Sequence, residues 1–249
     1  MDAYDMIFKR KSVRRFDKAL KLTEEELAAI GEKLKTLVPY NGDIRTAFRI
    51  VPSSETGCGR GEYCLLAYSE AKGDYLLNTG FMLEQMDIYF ASVNIGACWH
   101  GFSKPDMPVY DGLDFVILIA FGKAEEKDFR RDYKKASRKD TETVWQGDYF
   151  KNVAETVKYS PSACNSQPWR VKCTANKIEL CRAASVFSLF SKAKMAYFNN
   201  IDMGIFSYIL ELCLEHEGLE FERGGIPEAA EGLIPIASYT IKQQAEQIQ

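Results

Sequence analysis

Two stretches of this chain repeat one another, and that repetition limits the possible folds more than any other feature of the sequence. Pro39 sits between an amphipathic run, Glu24–Leu37, and an apolar one, Phe48-Arg49-Ile50. Pro161 stands 122 positions later, between 150–158 and Trp169-Arg170-Val171. Gly80 begins an apolar run ending at Asn94-Ile95, and Gly204 begins one ending at Gly218-Leu219, an offset of 124. The strand-like Val116–Gly122 has a mate in Leu233–Tyr239. An offset that drifts by only two residues predicts a duplicated unit. The expected domains are 1–145 and 146–249, packed as a pseudo-twofold pair with sites at their junction.

The two halves carry different polar stretches. The first has Lys9-Arg10-Lys11-Ser12-Val13-Arg14-Arg15-Phe16, a basic cluster interrupted by Ser12 and Val13. Such clusters are commonly solvated faces. Alternation of Arg10, Ser12 and Arg14 in an extended chain would instead aim all three one way, as a phosphate clamp does. The same half has Asn94–Gly101, whose small residues let a main chain approach a ligand closely. It also has a charged excursion, Lys123–Tyr149, containing Ser137-Arg138-Lys139.

Only the second half holds Ser160–Val171, read as Ser-Pro-Ser-Ala-Cys-Asn-Ser-Gln-Pro-Trp-Arg-Val. Its counterpart is the shorter Pro39-Tyr40-Asn41-Gly42. The long version is a loop between helix and strand, with amides at Asn165 and Gln167 that donate and accept at once. That chemistry suits the edge of a planar heterocycle; a helix-terminal turn would have the same composition.

Local signals place the regular elements. Asp2 is an expected N-cap for a helix through Phe8 with Met6 and Ile7 inward, and Thr23-Glu24-Glu25-Glu26 is a capping box. Ala47–Val51, Tyr63–Ser69, Asp114–Phe121, Lys177–Cys181 and Gly232–Ile241 read as strands, with Asp114–Phe121 buried on both faces. Gly80–Val93, Phe187–Asn200 and Asp202–Glu217 read as helices. The glycines of Ser53–Gly61 do not have nucleotide-loop spacing, and no Lys-Ser/Thr follows them.

At 249 residues the chain can bury a substantial core, and a net charge of −3 argues against bulk nucleic-acid affinity. No apolar run reaches the length of a membrane span, and Met1–Arg15 lacks a signal-like apolar segment. Seven cysteines without a Cys-x-x-Cys pair, beside two histidines, argue against zinc and for reduced thiols in a cytoplasm.

Together these residues resemble the FMN-dependent nitroreductase family. Lys9–Phe16 is similar to its Arg-Arg-Ser-Val-Arg-x-Phe signature, with Lys11 replacing one arginine. Ser160–Val171 resembles its Ala-Pro-Ser-x-x-Asn-Ser-Gln-Pro-Trp-x-Phe signature. Asn94–Gly101 resembles its Leu-Gly-Leu-Gly-Thr-Cys-Trp-x-Gly segment, and Ser137–Val144 its Pro-Arg-Lys-x-x-x-Glu-x-Val tail. The resemblance spans residues 3–240 but departs in motif order, since the Asn-Ser-Gln-Pro-Trp loop ordinarily follows the N-terminal signature closely. The nearest relative is a divergent branch in which both subunits of the family dimer are fused in one chain.

The resemblance implies an α+β nitroreductase-like fold, mixed β-sheets flanked by helices in two halves, and FMN reduced by NAD(P)H. Arg10, Ser12 and Arg14 would hold the FMN phosphate, with Arg138 and Lys139 closing on it. Arg10 or Lys11 would otherwise lie toward the pyrimidine end of the ring, where positive charge favours the reduced cofactor. Backbone at Cys98, Trp99, His100 and Gly101 would face flavin N5 and O4. Pro161, Ser162, Ala163 and Asn165 would cover the ring, while Gln167 braces the loop. Cys98 and Cys164 are expected as buried packing thiols, and no catalytic side chain is required. The implied partner is a small-molecule acceptor, a nitroaromatic or quinone, and a monomer suffices because the halves mimic the dimer. A non-catalytic flavin-binding or sensing protein on the same fold is the alternative.

Overall fold

The computed structural model describes residues 2–242. Gln243–Gln249, expected to fray, lies outside the described residues. The chain divides into two compact units between Lys135 and Ala136. Each unit is built on one sheet.

In the first unit, α1 (Ala3–Lys9) starts where Asp2 accepts a hydrogen bond from the Tyr4 N–H at 3.2 Å, and it buries Met6 and Ile7. The Thr23 capping box opens α2 (Glu24–Leu34) as expected. An ion pair from Glu26 to Lys123 ties α2 to the end of the longest strand. The strands are β1 (Thr46–Pro52), β2 (Tyr63–Ser69), β3 (Ile95–His100), β4 (Val109–Tyr110) and β5 (Leu113–Lys123). They pair antiparallel in the order β1-β2-β5-β3, with β4 beside β5. Helix α3 (Tyr75–Ser92) is buried almost all round, which is the setting an evenly apolar helix requires. It starts five residues before Gly80.

The stretch read as a small-residue loop, Asn94–Gly101, is for the most part the strand β3. On its far side Ser12 bridges Ala97 in parallel, and the Val13 N–H donates to the Ala97 carbonyl at 2.9 Å. The small residues serve packing between segments. A Cβ at Gly96 would lie 3.1 Å from the Val13 Cβ and 3.0 Å from that of Ala124. Gly96→Val is therefore expected to lever residues 12–14 away from β3 at about 1–3 kcal/mol. A thermal melt checks this; an unchanged midpoint would mean Val13 does not need the space.

The second unit contains α4 (Thr141–Val144), β6 (Trp145–Gln146), α5 (Lys151–Val157), β7 (Trp169–Thr174), β8 (Lys177–Ala183), α6 (Lys192–His216), β9 (Phe221–Arg223) and β10 (Leu233–Ile241). Its sheet runs β6-β7-β8-β10-β9, with β6 parallel to β7 and the other pairs antiparallel. Trp169 is fully buried and stacks on Phe206 of α6 at 4.9 Å between ring centroids. Helix α6 begins at Lys192, not near Phe187, because the Ser191 side chain caps it by accepting from the Lys194 N–H. Phe187 and Leu189 are exposed ahead of it.

The unit boundary lies ten residues before the expected one, so Arg138 and Lys139 belong to the second unit. Side-chain bonds to residues 159–167 hold them there. No helix among the described residues is long and apolar enough to cross a membrane.

Candidate functional site

In the first unit the site residues gather along the outer edge of β3. The Ala97 carbonyl points outward to Val13. Strand alternation then turns the backbone of Trp99, two residues on, toward the same edge. Ser12 is half-buried in this bridge, whereas Lys11 and Arg14 are exposed. Arg10 does not join them, which corrects the alternating clamp. Its guanidinium is 3% exposed, and Nε donates to Asp87 Oδ2 at 3.0 Å. Burial works against its charge, but Asp87 and Glu84 outweigh burial and keep it ionised. The Trp99 indole N–H donates to the same carboxylate oxygen at 3.0 Å, so Arg10 serves to anchor Trp99 and α3.

Cys98 is buried, as expected of a packing thiol, and burial raises its pKa despite the nearby charges of Arg14 and Arg60. Burial, and then Arg60, lowers the pKa of His100, so its ring is neutral. His100 Nδ1 is buried without a hydrogen-bond partner. Gly101 directly follows the strand.

In the second unit, the 160–168 loop is bent by three non-glycine residues with left-handed backbones: Cys164 (φ 53°), Asn165 (φ 53°) and Gln167 (φ 49°). Such backbones persist only where surrounding bonds fix them. The Gln167 N–H donates to Ser162 Oγ at 3.0 Å, and Gln167 Oε1 accepts from the Lys139 N–H at 2.8 Å, so Gln167 does brace the loop. Arg138 donates to Asn165 Oδ1 and to the Tyr159 carbonyl, and Lys139 Nζ to the Ser166 and Gln167 carbonyls. Both cations thus hold this loop rather than standing ready for a phosphate. Burial, and then Arg170, lowers the pKa of Lys139. Pro161, Ser162 and Ala163 are half-buried, Asn165 is exposed, and Cys164 is exposed, contrary to its expected packing role.

Beneath the loop lies a residue that sequence reasoning missed. Asp202 of α6 accepts from the Ala163 N–H at 3.0 Å and from Asn199 Nδ2 at 2.8 Å. Burial pushes its carboxyl up to about 7, against the lowering effect of Asn199, the Ala163 N–H and Ser166. The first unit has the counterpart of this brace: the Asn41 N–H donates to Asn78 Oδ1 at 3.0 Å. Asn41 precedes Ala163 by 122 positions and Asn78 precedes Asp202 by 124, the offsets of the sequence repeat. An acid inside a mostly apolar helix was the available signal for Asp87 and Asp202 alike, although Glu84 shares α3 with the one and Glu211 and Glu215 share α6 with the other.

The structure resembles the crystal structure of a "putative nitroreductase" from Thermotoga maritima MSB8, with TM-score 0.64 and 20% identity over 97% of this chain and 93% of that one. It also matches a "nitroreductase family protein" from Clostridium difficile 630, with TM-score 0.46 and 12% identity over 60% and 99%. A "putative NADH oxidase" from Clostridium acetobutylicum matches with TM-score 0.45 and 14% identity over 58% and 100%. No curated protein matches. The first of these likenesses shows the nitroreductase-like fold. Residues 2–213 match the model of the family described as "Putative TM nitroreductase", and the chain belongs to that family.

Proposed function

We propose that this protein is an FMN-dependent oxidoreductase that passes electrons from NAD(P)H to nitroaromatic, quinone or similar small acceptors. The observation that carries the reading is the outer edge of β3. There the Trp99 backbone and the exposed Arg14 lie beside the Ser12–Ala97 bridge, in the segments that resemble the family's flavin contacts. Backbone donors and an exposed guanidinium suit a planar ring with an anionic tail. The strand order of the two sheets, β1-β2-β5-β3 and β7-β8-β10-β9, and the paired Asn41–Asn78 and Ala163–Asp202 braces support two copies of one unit.

When bound, FMN supplies the redox chemistry, taking hydride from NAD(P)H and returning electrons to the acceptor. The chain's own residues bind and orient. Ser12, Lys11 and Arg14 are assigned to the phosphate and pyrimidine ends, and the backbone of Trp99–Gly101 to the ring edge. Arg10, Arg138, Lys139 and Gln167 are positioning residues, fixing Trp99 in one unit and the loop in the other.

The visible spectrum of the purified protein tests this reading. Oxidised flavin absorbance that bleaches on anaerobic addition of NAD(P)H supports it. Bound flavin that does not bleach supports a sensing role instead, and a colourless protein that takes up no FMN overturns both. Arg14→Ala is expected to weaken FMN retention by about tenfold or more, the scale of a lost charged hydrogen bond. Equilibrium dialysis reads it, and unchanged retention would remove Arg14 from the phosphate end.

A further inference from the structure

The face of the first sheet turned away from α3 holds a cavity of about 170 Å³, lined by none of the residues assigned to the flavin. Trp99 meets Asp87 of α3, and the strand register puts Ile119, Leu65 and Ile50 on that same side. Arg49 and Leu66, paired directly with each other, therefore face the other way. Buried Val51 and Leu66 give the cavity an apolar floor on β1 and β2, toward the opposite edge of the sheet from β3.

The Arg49 guanidinium is fixed there without a carboxylate. It lies over the ring of Tyr110 in β4 at 4.9 Å, and Nη1 donates to the Met107 thioether sulfur, a weak acceptor, at 3.2 Å. The Tyr68 hydroxyl holds Met107 in turn by donating to its carbonyl at 2.9 Å. Two acids, Glu55 and Asp106, line the same cavity. Their segments are tied together through the main chain: the Asp106 N–H donates to the Glu55 carbonyl at 3.0 Å, and the Gly57 N–H to the Lys104 carbonyl at 2.9 Å. Among the described residues, none of Arg49, Glu55 and Asp106 enters an ion pair.

One guanidinium and two carboxylates thus border an apolar floor without neutralising one another. A simple anion entering here is opposed by the carboxylates, and a simple cation by the guanidinium; a molecule with both charges is attracted by each. The volume narrows the choice further. A cavity of about 150 Å³ takes a benzene-sized molecule, whereas cofactor and drug-sized sites run from about 300 Å³ upward, so this one has room for a single apolar side chain.

We propose that this cavity binds a small zwitterion of the α-amino-acid class with an apolar side chain. The carboxylate goes to Arg49, the ammonium to Glu55 or Asp106, and the side chain to Val51 and Leu66. The site does not depend on the flavin reading.

Isothermal titration of the purified protein with L-leucine, L-methionine and L-phenylalanine tests it. At least one is expected to bind saturably. The amide of that amino acid, which lacks the carboxylate, and its desamino acid, which lacks the ammonium, should each bind about tenfold or more weaker, the scale of a lost charged hydrogen bond. Arg49→Gln should weaken the amino acid by a similar factor and leave its amide unchanged. Glu55→Gln combined with Asp106→Asn should weaken the amino acid and leave the desamino acid unchanged or tighter. Circular dichroism confirms folding, and the acid double variant carries the test if Arg49→Gln does not fold. No saturable binding of any of the three overturns the site, as does equal binding by wild type and the variants. A desamino acid or an amide that binds as tightly as its parent overturns the assignment to a zwitterion.

Discussion

Replacing Asp87 with alanine is expected to destabilise the first unit by about 3–5 kcal/mol, the cost of leaving a buried charge without its partner. Arg10 and Asp87 are each 3% exposed at their side chains and meet at 3.0 Å. One carboxylate oxygen receives both the Arg10 Nε–H and the Trp99 indole N–H. Its removal leaves the buried guanidinium with only Glu84 to offset burial, and it releases Trp99 from α3. Asp87→Asn keeps an acceptor but not the charge, so it should fall between alanine and wild type. Arg10→Met with Asp87→Leu removes both charges and should cost less than the two single changes added together. Urea denaturation of wild type, Asp87→Ala, Asp87→Asn, Arg10→Met, Asp87→Leu and the double variant measures this. A loss below about 1 kcal/mol for Asp87→Ala would place the pair in contact with water, at the level of an ordinary surface ion pair.

That pair also shows where the sequence stops being legible. Caps and strands could be read because their causes are local: Asp2 and Thr23 sit within three residues of the N–H groups they satisfy. The alternating basic cluster aims Arg10, Ser12 and Arg14 one way, but Arg10 turns into the core. Arg10 is the C-cap of α1 and is drawn inward by an acid 77 positions away, which no local pattern reveals. Gly96 and Ala97 suggested a loop by their size, whereas their smallness admits Val13 against a strand. The Ser137–Lys139 segment falls in the second unit, held by bonds from Arg138 and Lys139 to the Tyr159 and Ser166 carbonyls, and bonds of that range leave no trace in composition. The repeat could be read because it is written in spacing alone.

The Ala163–Asp202 brace gives the second large effect, and it depends on pH. Burial raises the Asp202 carboxyl from its ordinary value of 3.8 to about 7 in the fold. The folded protein therefore holds this proton over a range in which the unfolded chain has released it. Stability from this group is present in full below about pH 4, declines as pH rises toward 7 and is flat above. At about 1.4 kcal/mol per pH unit the whole change is roughly 4 kcal/mol as an upper bound. Asp202→Asn cannot ionise, so its stability relative to wild type should rise between pH 5 and pH 7 and then level off. Asp202→Ala leaves the Ala163 N–H and the Asn199 amide without their acceptor, at about 1–3 kcal/mol. It should also loosen the left-handed turn at Cys164 and Asn165, which that N–H holds to α6. Chemical denaturation of the three proteins across this range measures the slopes, and hydrogen exchange at residues 163–167 reports the loop. Parallel pH profiles for wild type and Asp202→Asn would show that Asp202 is already ionised throughout, so that the carboxylate faces water instead of the interior of the second unit.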